Sequence, residues 1–182
     1  RSAWIKDALD AILTKHGSKT AGIDGMTKKA LDSDIAKAKF VKELETELRQ
    51  KQFRPMPVRR VYIPKSNGKK RPLGIPTIKD RVVQMLVKMV LEPIFESDFL
   101  NCSNGFRPER RTQDCIARLD SYINRRNKYY WVIEGDIKAA FDSIHHQVLI
   151  KLLEKRIADK RFLSLIERFL KSGIMEGRLF KR

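Results

Sequence analysis

Cysteine and histidine are nearly absent from this chain. Its 182 residues include two cysteines, Cys102 and Cys115, and three histidines. Neither cysteine belongs to a CxxC pair or stands at metal-ligand spacing, which argues against a structural zinc site. So few thiols suit a reduced, cytoplasmic protein better than a disulfide-stapled secreted one. Long apolar runs are missing too. A bilayer-spanning helix needs roughly 20 such residues, and the best stretch, Val82 to Leu91, is interrupted by Gln84 and Lys88, so no membrane span is expected. There is no signal peptide pattern, internal repeat or low-complexity segment, because the first residues already read as a helix. The chain lacks a starting Met and its last residues open a strand, so a fragment is expected.

Acid is the other scarcity. Asp and Glu number 22 against 39 Lys and Arg, a net charge of +17 with a pI near 10.1. Apolar content of 42% and charged content of 34% describe a folded globular chain, long enough for one substantial domain or two small lobes. Between Arg49 and Arg81 stand eleven basic residues opposed only by Asp80. Such density suits a phosphate backbone, since each cation placed on a phosphate releases a condensed counterion. A membrane surface would ask for a long basic amphipathic helix. Pro55, Pro57, Pro64, Pro72 and Pro76 exclude one here.

Periodicity supplies the elements. Residues 3–16 carry Trp4, Ile5, Ala8, Leu9, Ile12 and Leu13 at helical spacing, ending at Gly17. The stretch Gly17 to Gly25 is a turn-rich loop; its spacing is not that of a P-loop. Thr27 is a candidate cap for the next helix. Phe40 to Gln50 predicts an amphipathic helix. Val58 to Pro64 alternates as a strand, Asn67-Gly68 is a strong hairpin signal, and Arg71 to Pro76 returns as a second strand. The prolines predict an exposed two-stranded finger, with Lys65, Lys69, Lys70 and Arg71 at its tip. A buried helix is expected from Thr77 or Asp80 to Leu91, ended by Pro93. Phe106 reads as a core anchor beside Arg107. Thr112 is expected to cap a helix with Cys115, Ile116, Leu119, Tyr122 and Ile123 inward. Further helices are expected at about His145–Arg156, capped by Asp142 or Ser143, and at about Asp159–Ser172, closed by Gly173. Ile174 to Lys181 reads as a new strand.

One stretch combines an apolar strand pattern with an acid at its end: Trp131 to Ile137, followed by Lys138 to Asp142. Side chains alternate in a strand, so Val132, Glu134 and Asp136 share one face. A carboxylate at the end of a strand is where α/β enzymes hold metals. An acid that opens a turn fits the same residues.

Three motifs in order are similar to the reverse transcriptase of bacterial group II introns, the intron maturase. They are Arg60 to Lys65 with Gly68 to Gln84; Asn104-Gly105-Phe106-Arg107-Pro108; and Glu134 to Lys138 with Phe141, Asp142, Ile144 and His145. Lys19 to Gly25 resembles the loop of the extra N-terminal motif of non-retroviral members. The resemblance covers nearly the whole chain. It implies an α+β fold, part of a right-hand polymerase: fingers with an N-terminal extension over residues 1–130, including the two-stranded hairpin, and upper palm over 131–182, with part of an antiparallel sheet. It implies Asp136 as the first metal-binding aspartate, with the Ile137 carbonyl as a further ligand for Mg²⁺, which prefers hard oxygens. Polymerases use two such ions to activate the primer hydroxyl and stabilise pyrophosphate. Lys65 and Arg71 match the residues that grip the incoming dNTP, where cations neutralise developing charge. Phe141 matches the aromatic gate under the sugar, although a core aromatic is its alternative. For RNA contact the candidates are Lys19, Lys28, Lys29, Arg59, Arg60, Lys69, Lys70, Arg107, Arg110 and Arg111.

The family's Tyr-Ala-Asp-Asp hairpin and Gln-Gly-x-Pro loop are expected beyond residue 182. The implied partners are group II intron RNA, an RNA template, a DNA primer and dNTP; a homodimer would cover apolar surface left by a truncated palm. Two other readings stay open: an RNA-binding splicing cofactor that needs no DNA synthesis, and a reverse transcriptase of a retron or diversity-generating element.

Overall fold

The computed structural model describes residues 2–64, 66, 68–126 and 129–181, with the side chains of residues 125 and 126 excepted. Contacts group the chain into two compact units, residues 1–90 with 146–182, and residues 91–145. The division expected at residue 130 falls inside the second of these units.

The core of the first unit is built on three helices. In α1 (Ser2–Leu13) the stripe Ile5, Ala8, Leu9 and Ile12 is buried as its spacing predicts. Helix α2 (Asp34–Arg49) starts earlier than its apolar residues suggest. Ser33 caps it, its hydroxyl accepting the Ala36 N–H at 3.1 Å, which satisfies one orphan donor of the first turn. Phe40 and Leu44 of α2 meet Ile78, Val82 and Val83 of α3 (Ile78–Glu96), and Leu31 and Phe53 from the connecting segments close the cluster. Each such side chain fully buried is worth about 1.5–3 kcal/mol relative to exposure. Short 3₁₀ turns stand at His16–Lys19 and Lys28–Leu31; Thr27 precedes the second without a side-chain cap bond.

Strands β1 (Val58–Pro64) and β2 (Lys70–Ile75) form the expected antiparallel hairpin, with Arg59 opposite Ile75 and Pro64 opposite Lys70. The hairpin is not a free two-stranded finger. Its strand β1 also pairs in parallel with β3 (Ile174–Glu176), which turns back into β4 (Leu179–Lys181), giving a mixed sheet ordered β2-β1-β3-β4. The single strand expected over 174–181 is therefore a short hairpin. Gly177, at φ +60°, supplies its left-handed turn position. The placement of the prolines explains the difference: Pro72 lies on the edge strand β2 and Pro64 at the end of β1, so neither blocks the pairing at Val58 and Arg59. Helix α6 (Lys160–Leu170) leads into β3. Asp159 caps it by accepting the Arg161 N–H at 2.8 Å and the Phe162 N–H at 3.3 Å. Helix α5 (His146–Glu154) precedes it. The Ser143 hydroxyl, a candidate cap for α5, instead donates to the Ala140 carbonyl at 2.9 Å.

A buried polar node ties the hairpin to the helices. Thr77 stands just before α3; its hydroxyl accepts the Asp80 N–H at 3.0 Å and donates to Asp80 Oδ2 at 2.7 Å. The Met56 N–H donates to both Asp80 oxygens, at 3.4 and 3.3 Å. Asp80 is only 2% exposed. Next to it the Arg81 guanidinium donates to the carbonyls of Pro76, Gly17 and Thr20 at 2.9, 2.7 and 2.8 Å. The loop so held packs against the node through Gly22, where a Cβ would lie 2.7 Å from the backbone of Thr77.

The second unit departs most from the sequence-based expectations. Helix α3 runs through Pro93 to Glu96 instead of ending before it; Pro93 falls in the last turn, where only the bond to one carbonyl is lost. Helix α4 (Thr112–Asp120) takes Arg111, not Thr112, at its cap position, with the Asp114 carboxylate accepting the Arg111 N–H at 2.9 Å. A π-helical turn, Ser121–Arg126, comes next. The expected inward residues Ile116, Leu119 and Tyr122 are exposed, as is Phe106. Residues 131–137 are not a strand. They are irregular and exposed, with Trp131 at 92% and Ile133 at 99%. The reason is pairing: among the described residues no strand lies alongside them, and a lone strand has no ladder to satisfy its backbone.

The buried Asp80 gives a pH-dependent prediction. Burial pushes its carboxyl above the ordinary value of 3.8, against the pull of its bonds from Thr77 and Met56. A raised value means the folded state holds the proton more tightly. The group's favourable share is therefore full below pH 3.8 and is lost as pH rises through the raised value. Urea unfolding across this window should show wild-type stability falling relative to Asp80→Asn and then levelling off; a constant difference would contradict the burial. At neutral pH, Asp80→Ala should cost about 1–3 kcal/mol for each buried group it strips of a partner.

Candidate nucleotide and nucleic-acid site

The hairpin sorts its cations by face. Residues opposite one another in an antiparallel pair share a face. One face carries Arg59, Val61 and Ile63 with Arg71, Leu73 and Ile75; the other carries Arg60, Tyr62 and Pro64 with Lys70, Pro72 and Gly74. Arg71 and Lys70 are exposed at the turn end of the hairpin, where Pro64 pairs with Lys70. Lys69 is exposed just before β2. Lys65 lies outside the described residues.

Not every cation in the run is available to a ligand. The Arg59 guanidinium is half-buried and donates through Nε and Nη2 to the Ala21 carbonyl, at 3.1 and 2.7 Å. It fastens β1 to the 17–25 loop. Arg60 is half-buried on the opposite face. There the Tyr62 hydroxyl donates to Glu176 Oε1 at 2.5 Å, and Lys181 donates to the same carboxylate. The bonds from Lys181 and Tyr62 hold the Glu176 carboxyl below its usual range, and the bond to Glu176 pushes the Tyr62 phenol up. Lys19 and Lys29 are exposed around the N-terminal loop and Lys28 is half-buried.

In the second unit, Arg107 is a candidate RNA contact by sequence, and its geometry gives it a different task. Its side chain is only 7% exposed. Nε and Nη2 donate to Glu96 Oε1 at 2.9 and 2.7 Å, and Nη1 donates to the carbonyls of Leu100 and Ser103 at 2.8 Å each. The guanidinium also lies 5.1 Å from the Phe99 ring centre. With donors on three acceptors and a face on an aromatic, it organises the 97–107 loop. Arg110 is half-buried and Arg111 exposed.

Asp136, Ile137 and Phe141 lie in the same unit, all exposed; Phe141 is 87% exposed within a run of turns. Among the described residues no group of three His, Cys, Asp or Glu is arranged to hold a metal ion. One carboxylate and one carbonyl leave most of an octahedron unfilled. The described residues therefore do not make a magnesium site by themselves, and no chemical step is derived through one. Also among the described residues, no helix is long and apolar enough to cross a membrane.

Sequence reasoning missed two structural roles. The Thr77–Asp80 pair was visible only as a choice of helix start, although Thr-x-x-Asp before an apolar run is a capping pattern. The Tyr62–Glu176–Lys181 cluster joins residues 114 apart, which no local signal marks.

Residues 63–182 match the family model described as reverse transcriptase (RNA-dependent DNA polymerase), and the chain belongs to that family. More particularly, it is 42% identical over 98% of its length to Protein YkfC of Escherichia coli K12, covering 47% of that protein. It is 38% identical over 93% of its length to the group II intron-encoded protein LtrA of Lactococcus lactis subsp. cremoris, covering 27% of it. Nuclear intron maturase 1, mitochondrial, of Arabidopsis thaliana is 36% identical over 59% of the chain and is matched over 14% of its own length. The chain thus spans less than half the length of these curated relatives. The resemblance to group II intron-encoded reverse transcriptases is borne out.

Arg107 supplies the test of this geometry. Lysine cannot reproduce its fork, so Arg107→Lys should speed hydrogen exchange across residues 97–107 while leaving the salt dependence of RNA affinity unchanged. A shallower salt slope with unchanged exchange would mean that the guanidinium contacts phosphate instead.

Proposed function

We propose that this chain is the fingers and upper palm of an RNA-directed DNA polymerase encoded by a group II intron, and that the whole protein binds its intron RNA to assist splicing and mobility. The observation that carries the reading is the hairpin. In a chain of the reverse transcriptase family, it brings Lys70 and Arg71 to one exposed end, the chemistry needed to meet a triphosphate or a phosphate backbone. In this reading Arg71, with Lys65, grips the dNTP. Phe141 sets the sugar preference. Asp136 and the Ile137 carbonyl contribute to a Mg²⁺ site that needs further carboxylates. Lys19, Lys28, Lys29, Lys69 and Lys70 contact RNA. Arg59 and Arg107, engaged with protein carbonyls and with Glu96, serve as scaffold. The two free cysteines are consistent with work in the reducing cytoplasm.

A second reading is an RNA-binding splicing cofactor; what supports it for this stretch of chain is that, among the described residues, Asp136 belongs to no group of three metal-ligating side chains.

Filter binding and primer extension by the 182-residue chain test both parts. RNA should bind with a steep loss of affinity as salt rises, and no primer should be extended. Replacing Lys28, Lys29, Lys69 and Lys70 by Gln should weaken binding and flatten the salt slope by about 0.7 for each phosphate no longer neutralised, whereas Asp136→Asn should leave affinity unchanged. DNA synthesis by the isolated chain, or an unaltered slope in the quadruple variant, would overturn the corresponding part.

A further inference from the structure

The first unit carries a second concentration of positive charge that involves no hairpin residue. A cleft of about 460 Å³ is lined by the end of α2, the chain leaving it and α6, through Arg49, Lys51, Lys160, Arg161, Ser164 and Arg168 together with Phe53 and two leucines. No acid lines it. Its size is that of a small-molecule pocket, enough for one nucleotide unit of a strand.

The fold builds this cleft from segments more than a hundred residues apart. Phe53 and Phe169 pack with ring centres 5.9 Å apart, and Arg168 donates to the Phe53 carbonyl at 3.3 Å. Both contacts fix α6 against the chain leaving α2. At that exit Lys51 takes a left-handed backbone, φ +60°, a conformation natural to glycine and costly for a lysine. Nearby carboxylates are occupied elsewhere: Glu47 pairs with Lys79 at 2.8 Å, Glu167 with Lys171 at 2.5 Å, and Asp159 caps α6. Arg49 is paired with Glu45 at 3.2 Å. Lys51, Lys160 and Arg161 are exposed. Among the described residues, none of these three has a carboxylate partner.

We propose that this cleft is a second nucleic-acid contact, which seats the phosphodiester backbone of a single-stranded or looped RNA segment on Lys51, Lys160 and Arg161, with the Ser164 hydroxyl as a neutral donor. The inference rests on the reading that the protein binds RNA, and adds a place where it does so away from the hairpin. RNA is favoured over a lipid surface because the cations line a concave cleft, whereas a bilayer is met by a flat or helical basic face. It is favoured over an acidic peptide because the charge lies within a chain of a nucleic-acid polymerase family.

Two measurements on the full-length protein test it. In the first, Lys51→Gln, Lys160→Gln and Arg161→Gln are combined, and RNA affinity is measured against salt. The expected result is a slope shallower by about 2, from about 0.7 per single-strand phosphate contact, additive with the change in the quadruple variant at Lys28, Lys29, Lys69 and Lys70. In the second, amine acylation read by mass spectrometry is applied to the unaltered protein with and without RNA, which avoids any effect of substitution on folding. Lys51 and Lys160 should be protected by RNA. An unchanged slope together with unprotected lysines, while the wild type still binds RNA, would overturn the second site alone. Protection by vesicles of phosphatidylserine and phosphatidylcholine but not by RNA would overturn it in favour of a membrane contact. Failure of the wild type to bind RNA at all would overturn both this inference and the reading beneath it.

Discussion

The Asp80 carboxylate is the interaction on which the first unit depends. It is buried at the start of α3, yet two of its bonds go to groups that must be held in place: the Thr77 hydroxyl and the Met56 N–H. Met56 leads directly into β1. Through this one side chain the direction of the hairpin is tied to the helix that forms the middle of the core. A buried acid is costly to keep without partners, so the node is satisfied as a whole or it fails as a whole. Arg81 extends it outwards by gathering three carbonyls of the neighbouring turns. The lack of a side chain at Gly22 allows the loop to close on Thr77.

The cations of the chain are of two kinds. Arg59, Arg81 and Arg107 have guanidinium groups turned to protein carbonyls or to Glu96, and they act as fasteners. Lys70 and Arg71, at the hairpin end, and Lys51, Lys160 and Arg161, at the α2–α6 cleft, are exposed to solvent. The arginine fork suits either task; what separates the two groups is whether its donors already meet protein oxygens. The net charge of +17 is thus a mixture of scaffold and solvent-exposed charge.

Much of the core was legible. The stripe Ile5, Ala8, Leu9 and Ile12 and the pair Val82 and Val83 follow from their helical patterns, and the β1–β2 pairing from alternation on either side of a turn signal. The family was legible because its motifs are long and in order. The features that were not legible depended on distant partners. The pattern of residues 131–137 is that of a strand, but a strand exists only beside another. The inward face assigned to α4 likewise needs a layer to pack against, and among the described residues of the second unit none is as buried as the core of the first. Parallel pairing of Val58 with Ile174 spans most of the chain and leaves no local trace. Counting cations could not separate Arg107, held in a cage of carbonyls, from Arg111 at the surface.

Hydrogen exchange of the protein with and without single-stranded RNA tests the account most directly. The Met56 amide, bound to Asp80, should be protected in the free protein as strongly as the amides of Val82 and Val83, and RNA should add protection within residues 58–75 without altering Met56. A Met56 amide that exchanges like one in an open loop, or a hairpin indifferent to RNA, would contradict it.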